Sequence, residues 1–286
     1  MGDCGTVRAM SATTRKVTAN GLEFTVLEEG EGPLVLLLHG FPDTAHTWDH
    51  TRAALAKAGY RAVSPFMRGY APTPVPADGK YDTETLGRDA AALIDALGEK
   101  RAIVIGHDWG ATAAYAVALA APEKVRFLVS LAIPHPASLK PSPFILWKVR
   151  HFITLRRKGA PAKMRATNFA LVDELVRRWS PAWQVPAGET DAVKKAFAEP
   201  GCVEAACGYY RALGFSIPKS QRHKVTVPTL AFAGATDSVL RTAAFEGARG
   251  WHTAGYEVVT LPGGHFLHRE HPEEFARALV QRLPRP

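Results

Sequence analysis

The sequence predicts an α/β protein in which a mostly parallel sheet is covered by helices on both faces, with a helical segment inserted into it. Short apolar runs such as 34–39 and 101–105 have the composition of strands that are buried on both faces. Each run is followed by a helical stretch of about 10 to 15 residues, as connections between parallel strands require. This alternation stops after Pro134 and resumes after Pro228, which indicates the insert.

The first part of the sheet is predicted to begin with a hairpin and to continue as strand–helix pairs. Two β-like stretches, 15–17 and 22–27, meet at Asn20-Gly21, a strong signal for a two-residue hairpin turn. Further strands are predicted at 34–39, 60–65, 101–105 and 125–131, and helices at 47–58, 83–97 and 111–121. Each helix is followed by a residue that commonly ends helices: Gly59, Gly98 and Pro122.

The segment 135–223 is predicted to form a helical cap. It is rich in proline and contains no convincing strand. After it, strands are predicted at 229–233 and 256–261, and helices at 241–249 and 272–283. We therefore expect 1–134 and 224–286 to complete one α/β core around the cap.

Composition excludes several other classes of protein. The chain has 286 residues, of which 47% are hydrophobic and 22% charged, so disordered, collagen-like and coiled-coil structures are poor interpretations. Its three cysteines are too few for the disulfide framework of a small secreted domain. No run of 18 apolar residues occurs, and the first 20 residues lack the apolar stretch of a signal peptide. We expect a cytoplasmic protein without a stable membrane anchor.

The net charge of +8 is concentrated in one segment. Residues 138–180 contain ten Lys or Arg against two acidic residues, which accounts for the whole net charge. Such a segment can bind nucleic acid or anionic lipid, or attract anionic ligands. Because aromatic residues are not interleaved with the basic ones and no nucleic-acid motif accompanies them, we interpret it as a solvated helical face and expect no nucleic-acid partner.

The most informative motif is Gly106-His107-Asp108-Trp109-Gly110, at the junction of a buried strand and a helix. A Gly-x-nucleophile-x-Gly turn is strained, and its small residues allow the central side chain to project above the sheet. The alternative is that Asp108 only caps the following helix. We favour a nucleophilic role for Asp108 because three other features follow strand ends at the same edge of the sheet.

These three features supply the groups that a nucleophile needs. The first is His39-Gly40-Phe41-Pro42, where the Phe41 amide, together with the Trp109 amide, would form a two-donor oxyanion hole. An ordinary tight turn would also explain that motif. The other two are Asp237, just past strand 229–233, and His265, just past strand 256–261. Ligands of open α/β sheets bind at the carboxyl ends of strands, where all four features are expected to meet.

With these motifs in this order, essentially the whole chain resembles the α/β-hydrolase fold family. The family order of nucleophile, acid and histidine is met by Asp108, Asp237 and His265. An Asp nucleophile narrows the resemblance to epoxide hydrolases and haloalkane dehalogenases, in which an ionised carboxylate attacks an sp³ carbon and forms an ester. The resemblance implies that His265, oriented by Asp237, then activates the water that hydrolyses this ester. No cofactor is implied.

The cap residues favour the epoxide hydrolases. Gly208-Tyr209-Tyr210-Arg211 resembles the Trp-Tyr-Arg cap motif of that family, with Tyr210 on the catalytic tyrosine. The family usually has a second cap tyrosine, and matching its aromatic helix to 149–152 places His151 there, as in a His/Tyr subgroup. The substrate pocket is expected to include four further residues: His39, Pro42, Trp109 and Tyr209.

The predicted function is hydrolysis of a small apolar epoxide by water to a vicinal diol. The sequence does not decide between a monomer and a homodimer. Haloalkane dehalogenase is the alternative enzyme. Those enzymes typically have a halide-binding Asn where this chain has Phe41, and fluoroacetate dehalogenases typically have Arg where it has Trp109. A third hypothesis is a receptor or binding protein that catalyses no reaction. The complete set of Asp108, Asp237 and His265 argues against it, because a binding protein does not need an activated water.

Other polar groups are interpreted as structural, and no metal site is predicted. His265, His268 and His271 recur every third residue, and three further residues lie close together in sequence: Asp43, His46 and His50. His265 is required by the catalytic arrangement, and the remainder are interpreted as rim or solvated positions. Arg68-Gly69-Tyr70 resembles an Arg-Gly turn of the family and is also interpreted as structural.

Overall fold

The computed structural model describes residues 12–139, 150–214 and 216–286, and its eight strands there form one sheet. The strands are β1 (Thr13–Ala19), β2 (Leu22–Glu29), β3 (Leu34–Leu38), β4 (Arg61–Pro65), β5 (Ala102–His107), β6 (Val125–Leu131), β7 (Thr229–Gly234) and β8 (Tyr256–Leu261). Their order across the sheet is β1-β2-β4-β3-β5-β6-β7-β8. Strand β2 is antiparallel to both neighbours, and the pairs from β4 to β8 are parallel. The predicted fold class is confirmed.

Helices connect the strands and fill the insert. Helices α1 (Asp49–Lys57), α2 (Thr83–Ala96) and α3 (Trp109–Ala120) accompany the first strands. Between β6 and β7 lie α4 (His151–Arg156), α5 (Ala160–Trp179), α6 (Asp191–Ala198) and α7 (Cys202–Ala212), with no strand in the described part of this insert. Helix α5 is interrupted at 166–169, where the backbone is not helical. The chain ends with α8 (Thr242–Glu246), α9 (Leu267–Glu270) and α10 (Pro272–Val280).

Some predicted element bounds differ from the structure for local reasons. The helix predicted at 47–58 begins as a 3₁₀ turn, Ala45–Trp48, capped by the Thr44 side chain. The helix predicted at 241–249 is only Thr242–Glu246, because Gly247 follows and glycine is a poor helix former. Helix α3 begins two residues earlier than predicted, since the backbone passes directly from Asp108 into the helix.

The hairpin turn between β1 and β2 is confirmed. Asn20 has φ 47° and Gly21 has φ 74°, the two positive φ values that a type I′ turn needs. Asn and Gly tolerate this backbone region better than other residues. The turn therefore pairs Ala19 with Leu22 and fixes the register of the whole hairpin.

The apolar composition of β3 follows from its position in the middle of the sheet. Leu36 packs into the cluster that also contains residues of α2 and α3, whereas Val35 and Leu37 pack into the cluster on the opposite face with α1 and α10. These three side chains are all 0% exposed. Neither face of the strand needs polar residues, and polar chemistry is confined to the strand ends.

Parts of the predicted domains lie outside the described residues, namely 1–11, 140–149 and 215. The boundaries of the cap at 135 and 223 remain a prediction. In the rest of the chain, no helix combines the length and the apolar composition needed to cross a bilayer.

His135 gives the fold a specific sensitivity to acid. Its buried ring stacks on Trp251 with ring centroids 5.0 Å apart. The Nδ1 atom accepts a hydrogen bond from the Ala137 amide at 3.1 Å, and Nε2 donates to the His223 carbonyl at 3.1 Å. A protonated ring would place a second N–H against the Ala137 amide. Burial, together with the neighbouring His252, lowers the pKa of His135 to about 4.

We therefore expect the free energy of unfolding to decrease as the pH falls from about 6.5 to about 4. In this range the unfolded chain binds a proton on His135 that the folded chain excludes, so the contribution is full above the unfolded pKa and is lost on acidification. The largest loss from this one residue is on the order of 3 kcal/mol. His252 and Tyr115 face the same ring, and burial also lowers the pKa of His252 to about 4, so His252 acts in the same direction.

Urea unfolding at neutral and mildly acidic pH measures this effect. The matched comparison is His135→Gln, which should lose less stability between the two conditions than the unmodified protein. Equal losses in both proteins would assign the acid sensitivity to other groups.

Candidate active site

Asp108 lies in a strained turn between β5 and α3. Its backbone angles are φ 51° and ψ −116°, a conformation that non-glycine residues rarely adopt. A Cβ atom at Gly106 would collide with the Gly110 carbonyl, and one at Gly110 would collide with the Leu38 carbonyl. The two glycines of the motif are therefore required sterically. They allow β5 and α3 to approach closely while the Asp108 side chain projects from the turn.

The structure brings Asp108, His265 and Asp237 together from three strand ends. The Nδ1 atom of His265 lies 3.0 Å from Asp237 Oδ2, and its Nε2 atom lies 3.4 Å from Asp108 Oδ2. Asp237 is held in turn by backbone amides, since its Oδ1 accepts hydrogen bonds from Val239 at 2.6 Å and Leu240 at 3.3 Å. The imidazole is thus fixed on the Asp237 side and faces the Asp108 carboxylate with the other nitrogen.

The charges of this group are strongly coupled. Burial alone would lower the pKa of His265, but the carboxylates of Asp237 and Asp108 outweigh it and raise the pKa to about 10. Burial alone would raise the pKa of Asp108, but His265 and the Phe41 amide outweigh it and hold the pKa below its usual value. Asp108 is therefore an anion at neutral pH, facing an imidazolium.

One backbone N–H group is hydrogen-bonded to the Asp108 carboxylate, and a second belongs to the next residue in the chain. The Phe41 amide donates to Asp108 Oδ1 at 2.9 Å. Trp109 is the first residue of α3, and the first N–H groups of a helix have no partner within that helix. The N-terminal end of the helix dipole also favours negative charge at this position. Phe41 and Trp109, whose amides are the predicted oxyanion donors, thus both lie next to Asp108.

Tyr210 of α7 reaches the same place from the insert. Its ring makes edge contacts with Phe41 and Trp109, with ring centroids 5.1 and 5.2 Å apart. The Tyr210 hydroxyl is buried and donates to no acceptor among the described residues, while the Trp109 side chain, which is a donor only, lies beside it. Burial and the nearby negative charge of Asp108 raise its pKa well above 10, so the hydroxyl keeps its proton.

His151 is the other residue predicted from the cap. It is the first residue of α4, is 6% exposed, and lies 6.0 Å from Tyr210 between ring centroids. Its ring also packs against Trp179, with centroids 4.6 Å apart. The structure therefore places His151 beside Tyr210, on the same side of the site.

The predicted pocket residues occupy different environments. His39 uses both ring nitrogens within the core, with Nδ1 2.9 Å from the Gly40 carbonyl and Nε2 accepting from the Met67 amide at 3.0 Å. Tyr209 donates its hydroxyl to the Arg68 carbonyl at 2.9 Å. The polar groups of both residues are bound to backbone atoms, so His39 and Tyr209 hold the wall of the predicted substrate pocket in place. Two others, Pro42 and Trp109, are buried next to Phe41 and Asp108 in sequence.

Sequence reasoning missed the residues that connect the insert to the catalytic loops. The Trp179 carbonyl, at the end of α5, accepts hydrogen bonds from the amides of His265 at 3.2 Å and Ser238 at 3.3 Å. The Ser180 hydroxyl accepts from the Phe266 amide at 3.1 Å and donates to Glu270, which also accepts from the Gly264 amide at 2.8 Å. Nothing in the local sequence of the insert indicates these contacts.

Tyr70 belongs to the turn Arg68-Gly69-Tyr70, for which the structural interpretation stays a prediction. Its hydroxyl is buried and forms no hydrogen bond within the described ranges. Burial raises its pKa well above 10, and Asp108 and Tyr210 add to the shift, so the hydroxyl lies near the site.

Asp43, His107 and His268 form a group of potential metal ligands next to the His265 backbone.

Comparison with known proteins agrees with this geometry. Epoxide hydrolase A of Mycobacterium tuberculosis is 28% identical in an alignment 312 positions long, which covers 95% of this chain and 97% of that protein. An epoxide hydrolase of Caballeronia sordidicola is 45% identical over 120 residues, but these are only 41% of this chain and 36% of that protein. The crystal structure of an epoxide hydrolase from Vigna radiata superimposes with a TM-score of 0.79 at 26% identity, covering 95% of this chain and 97% of that chain.

The family model that matches is described as the alpha/beta hydrolase fold, and it covers residues 33–272. This range runs from the start of β3 to the start of α10 and includes Asp108, Asp237 and His265. The resemblance predicted from the motifs is thus confirmed: the chain belongs to the α/β-hydrolase fold family.

Proposed function

We propose that this protein is an epoxide hydrolase that converts an epoxide to a vicinal diol through a covalent ester on Asp108. The observation that carries this proposal is the buried Tyr210 hydroxyl, which donates to no acceptor among the described residues, near the partly buried Asp108 carboxylate. Relatives named epoxide hydrolases that align over 90% or more of this chain support the same activity. In this proposal the segment 135–223 is the cap that holds Tyr210 and His151 over the core.

In the first step, an Asp108 carboxylate oxygen attacks a ring carbon of the epoxide. The bond between this carbon and the ring oxygen breaks, and the ring oxygen takes the proton of Tyr210 as it becomes an alkoxide. The product of this step is a hydroxyalkyl ester of Asp108. A buried hydroxyl without a partner costs roughly 1–3 kcal/mol, and a bound ring oxygen would satisfy it. His151, beside Tyr210, is proposed as the second donor to this oxygen.

In the second step, His265 removes a proton from a water molecule that attacks the carboxyl carbon of Asp108. The ester oxygen becomes an oxyanion, which the Phe41 and Trp109 amides stabilise. Collapse of this intermediate breaks the bond to the alkyl oxygen, which takes the proton held by His265 and leaves as the second hydroxyl of the diol. The Asp108 carboxylic acid then gives its proton to His265, which restores the carboxylate and the imidazolium. Asp237 keeps His265 in the orientation this step requires.

The electrostatics of the site support a change of role for His265 between the two steps. In the free protein two carboxylates keep His265 protonated. Ester formation removes the charge of Asp108, so one of the two groups that raise the pKa of His265 is lost. The imidazolium can then give up its proton. This proton returns to Tyr210, which lost its own proton to the ring oxygen in the first step. The neutral ring is then ready to act as a base.

Phe41 disfavours haloalkane dehalogenation. Its side chain is 0% exposed and packs against the aromatic rings of Tyr210 and Phe197. A phenyl group offers no N–H donor to a halide ion, whereas an epoxide oxygen needs a hydroxyl that can donate a proton, such as that of Tyr210.

A panel of epoxides, haloalkanes and p-nitrophenyl esters tests the proposal. Diol formation from epoxides is expected, and turnover of haloalkanes alone or of nothing would refute it.

Tyr210→Phe and His151→Phe should each slow formation of the ester on Asp108 by roughly ten- to a thousandfold. Each substitution removes a donor that partly neutralises the alkoxide while the C–O bond breaks. Hydrolysis of an ester already formed should change much less, because it depends on His265 and the backbone amides. Single-turnover kinetics with excess enzyme separates the two steps.

Tyr115→Phe is the matched control for these variants. It also removes a buried tyrosine hydroxyl, one that lies 3.2 Å from the Ser130 hydroxyl and takes no part in the proposed reaction. It should form the ester at the rate of the unmodified protein. If His151→Phe does so too, Tyr210 acts without it; if neither cap variant is slow, the epoxide reaction itself is the wrong assignment.

A further inference from the structure

Three buried side chains converge next to the backbone of His265. Asp43, His107 and His268 are 3%, 0% and 1% exposed, and one potential ligand atom from each lies within 4.8 Å of the other two. They come from the loop after β3, the end of β5 and helix α9. None of them takes part in the proposed reaction.

Both histidines present an unused nitrogen. The Nε2 atom of His107 lies 2.9 Å from the His265 carbonyl oxygen, so it must carry the hydrogen, and Nδ1 keeps its lone pair. The Nε2 atom of His268 lies 2.7 Å from the Thr47 hydroxyl. In each ring the Nδ1 atom is buried and has no partner among the residues described here. Burial lowers the pKa of His107 to about 4 and that of His268 well below 6.5, so both rings are neutral.

Asp43 supplies negative charge to this group. Its Oδ1 accepts a hydrogen bond from the Thr44 amide at 2.9 Å, and its Oδ2 lies 3.1 Å from Arg269. Arg269 is also paired with Glu189 at 2.7 Å, so one guanidinium is shared by two carboxylates. Asp43 and Glu189 together carry one more charge than Arg269 neutralises, which favours a cation, whereas the His265 imidazolium, 5.0 Å from His107 between ring centroids, opposes it.

The group is also accessible from the surface. A cleft of about 510 Å³ is lined by Asp43 and His268, with His46 and His50 among the other lining residues. An ion could reach Asp43 and His268 through this cleft, and His107 lies behind them.

We propose that Asp43, His107 and His268 form a binding site for a divalent transition metal ion of the zinc class. Two imidazole nitrogens and one carboxylate are ligands that suit zinc, nickel, copper and cobalt ions. Three protein ligands leave a fourth position for water from the cleft. Each histidine is oriented through its other nitrogen, His107 by a carbonyl and His268 by a hydroxyl, as metal-bound histidines usually are.

Binding requires a modest contraction of the site. Metal–ligand bonds of about 2.0–2.2 Å place tetrahedral donors roughly 3.3–3.5 Å apart, compared with distances of up to 4.8 Å here. Rotation of the His268 and Asp43 side chains can supply this movement. A bound ion would also make the Nε2–H of His107 more acidic and so strengthen its hydrogen bond to the His265 carbonyl.

The test uses full-length protein without an affinity tag, freed of metal by dialysis against a chelator. Co²⁺ is the spectroscopic probe, because tetrahedral Co²⁺ has strong visible absorption, and Zn²⁺ binding is measured by calorimetry. We expect one ion per chain, with Zn²⁺ displacing Co²⁺. His268→Gln should weaken binding at least tenfold, and Thr47→Val, which removes the group that orients His268, should weaken it by roughly ten- to a hundredfold.

The double variant His46→Gln/His50→Gln is the matched control, since it removes two imidazoles from the rim of the cleft and none from the buried group. It should bind Co²⁺ as the unmodified protein does. Loss of binding in this control but not in His268→Gln would show a surface site and overturn the proposal. Absence of stoichiometric binding at submillimolar Co²⁺ and Zn²⁺ would also overturn it, and would leave an ordered water as the partner of the two nitrogens. Should His268→Gln fail to fold, Thr47→Val decides between these outcomes.

Discussion

Asp108→Ala is expected to reduce epoxide turnover by more than roughly a thousandfold while the protein remains folded. The substitution removes the only group in the proposed reaction that forms a bond to carbon. Tyr210 could still donate to the ring oxygen of a bound epoxide, but no carboxylate would attack the ring carbon, and His265 and the backbone amides act on an ester that can no longer form. Steady-state turnover measures the loss, and circular dichroism with thermal unfolding checks the fold.

Asp108→Asn is the sharper companion variant. Asn keeps the shape of the side chain, so it should add little to the strain that Asp108 already bears at φ 51° and ψ −116°. Its amide is uncharged and a poor nucleophile. Intact-mass measurement must accompany the assay, because deamidation would regenerate Asp108. More than about a thousandth of the activity in an undeamidated sample would remove Asp108 from the nucleophilic role.

His265→Gln should trap the covalent intermediate. Attack by Asp108 does not need a base, so the ester should still form, although more slowly, because the variant lacks the imidazolium that stabilises the ionised carboxylate. Its hydrolysis should nearly stop, since His265 is the base that activates water in the proposed reaction. Intact-mass spectrometry after addition of an epoxide should then show an adduct equal to the whole mass of the substrate. A haloalkane would instead give an adduct smaller by the mass of the hydrogen halide.

Two controls locate this adduct. The double variant Asp108→Asn/His265→Gln should show no adduct with the same substrate, and peptide mapping of the single variant should place the added mass on residue 108. An adduct on another residue would assign the chemistry elsewhere. If neither substrate class gives an adduct, covalent catalysis is refuted, although direct attack of water on a bound epoxide would remain compatible with turnover.

The hydrogen bonds at the end of α5 join the insert to the core. One carbonyl, that of Trp179, accepts from the loops carrying both His265 and Asp237, and the neighbouring Ser180 binds the His265 loop through Glu270. The helix that packs against His151 is therefore hydrogen-bonded to the loops that carry the proposed base and its orienting carboxylate. These bonds join the insert directly to the candidate active site.

Much of the core was predictable because it depends on local patterns. Strands β6 and β8 lie at the predicted residues, since alternating turns and apolar runs mark their ends. The glycines around Asp108 follow from steric contacts within one turn, and the order of Asp108, Asp237 and His265 follows from their positions just after strands. Parallel strands bring their carboxyl ends to one edge of the sheet, so position in the sequence was sufficient to predict that these three residues meet.

The sequence by itself therefore determined the fold class and the candidate nucleophile, acid and base, whereas the tertiary structure decided the partners of the other polar side chains. Spacing along the chain grouped His265 with His268 and His271, yet folding places His268 beside His107 and Asp43. Adjacent tyrosines on α7 diverge in the same way, because the hydroxyl of Tyr209 is bound to a carbonyl and that of Tyr210 faces the site. Such contacts join segments that are far apart in sequence, and they depend on how helices pack, which local residue patterns do not specify.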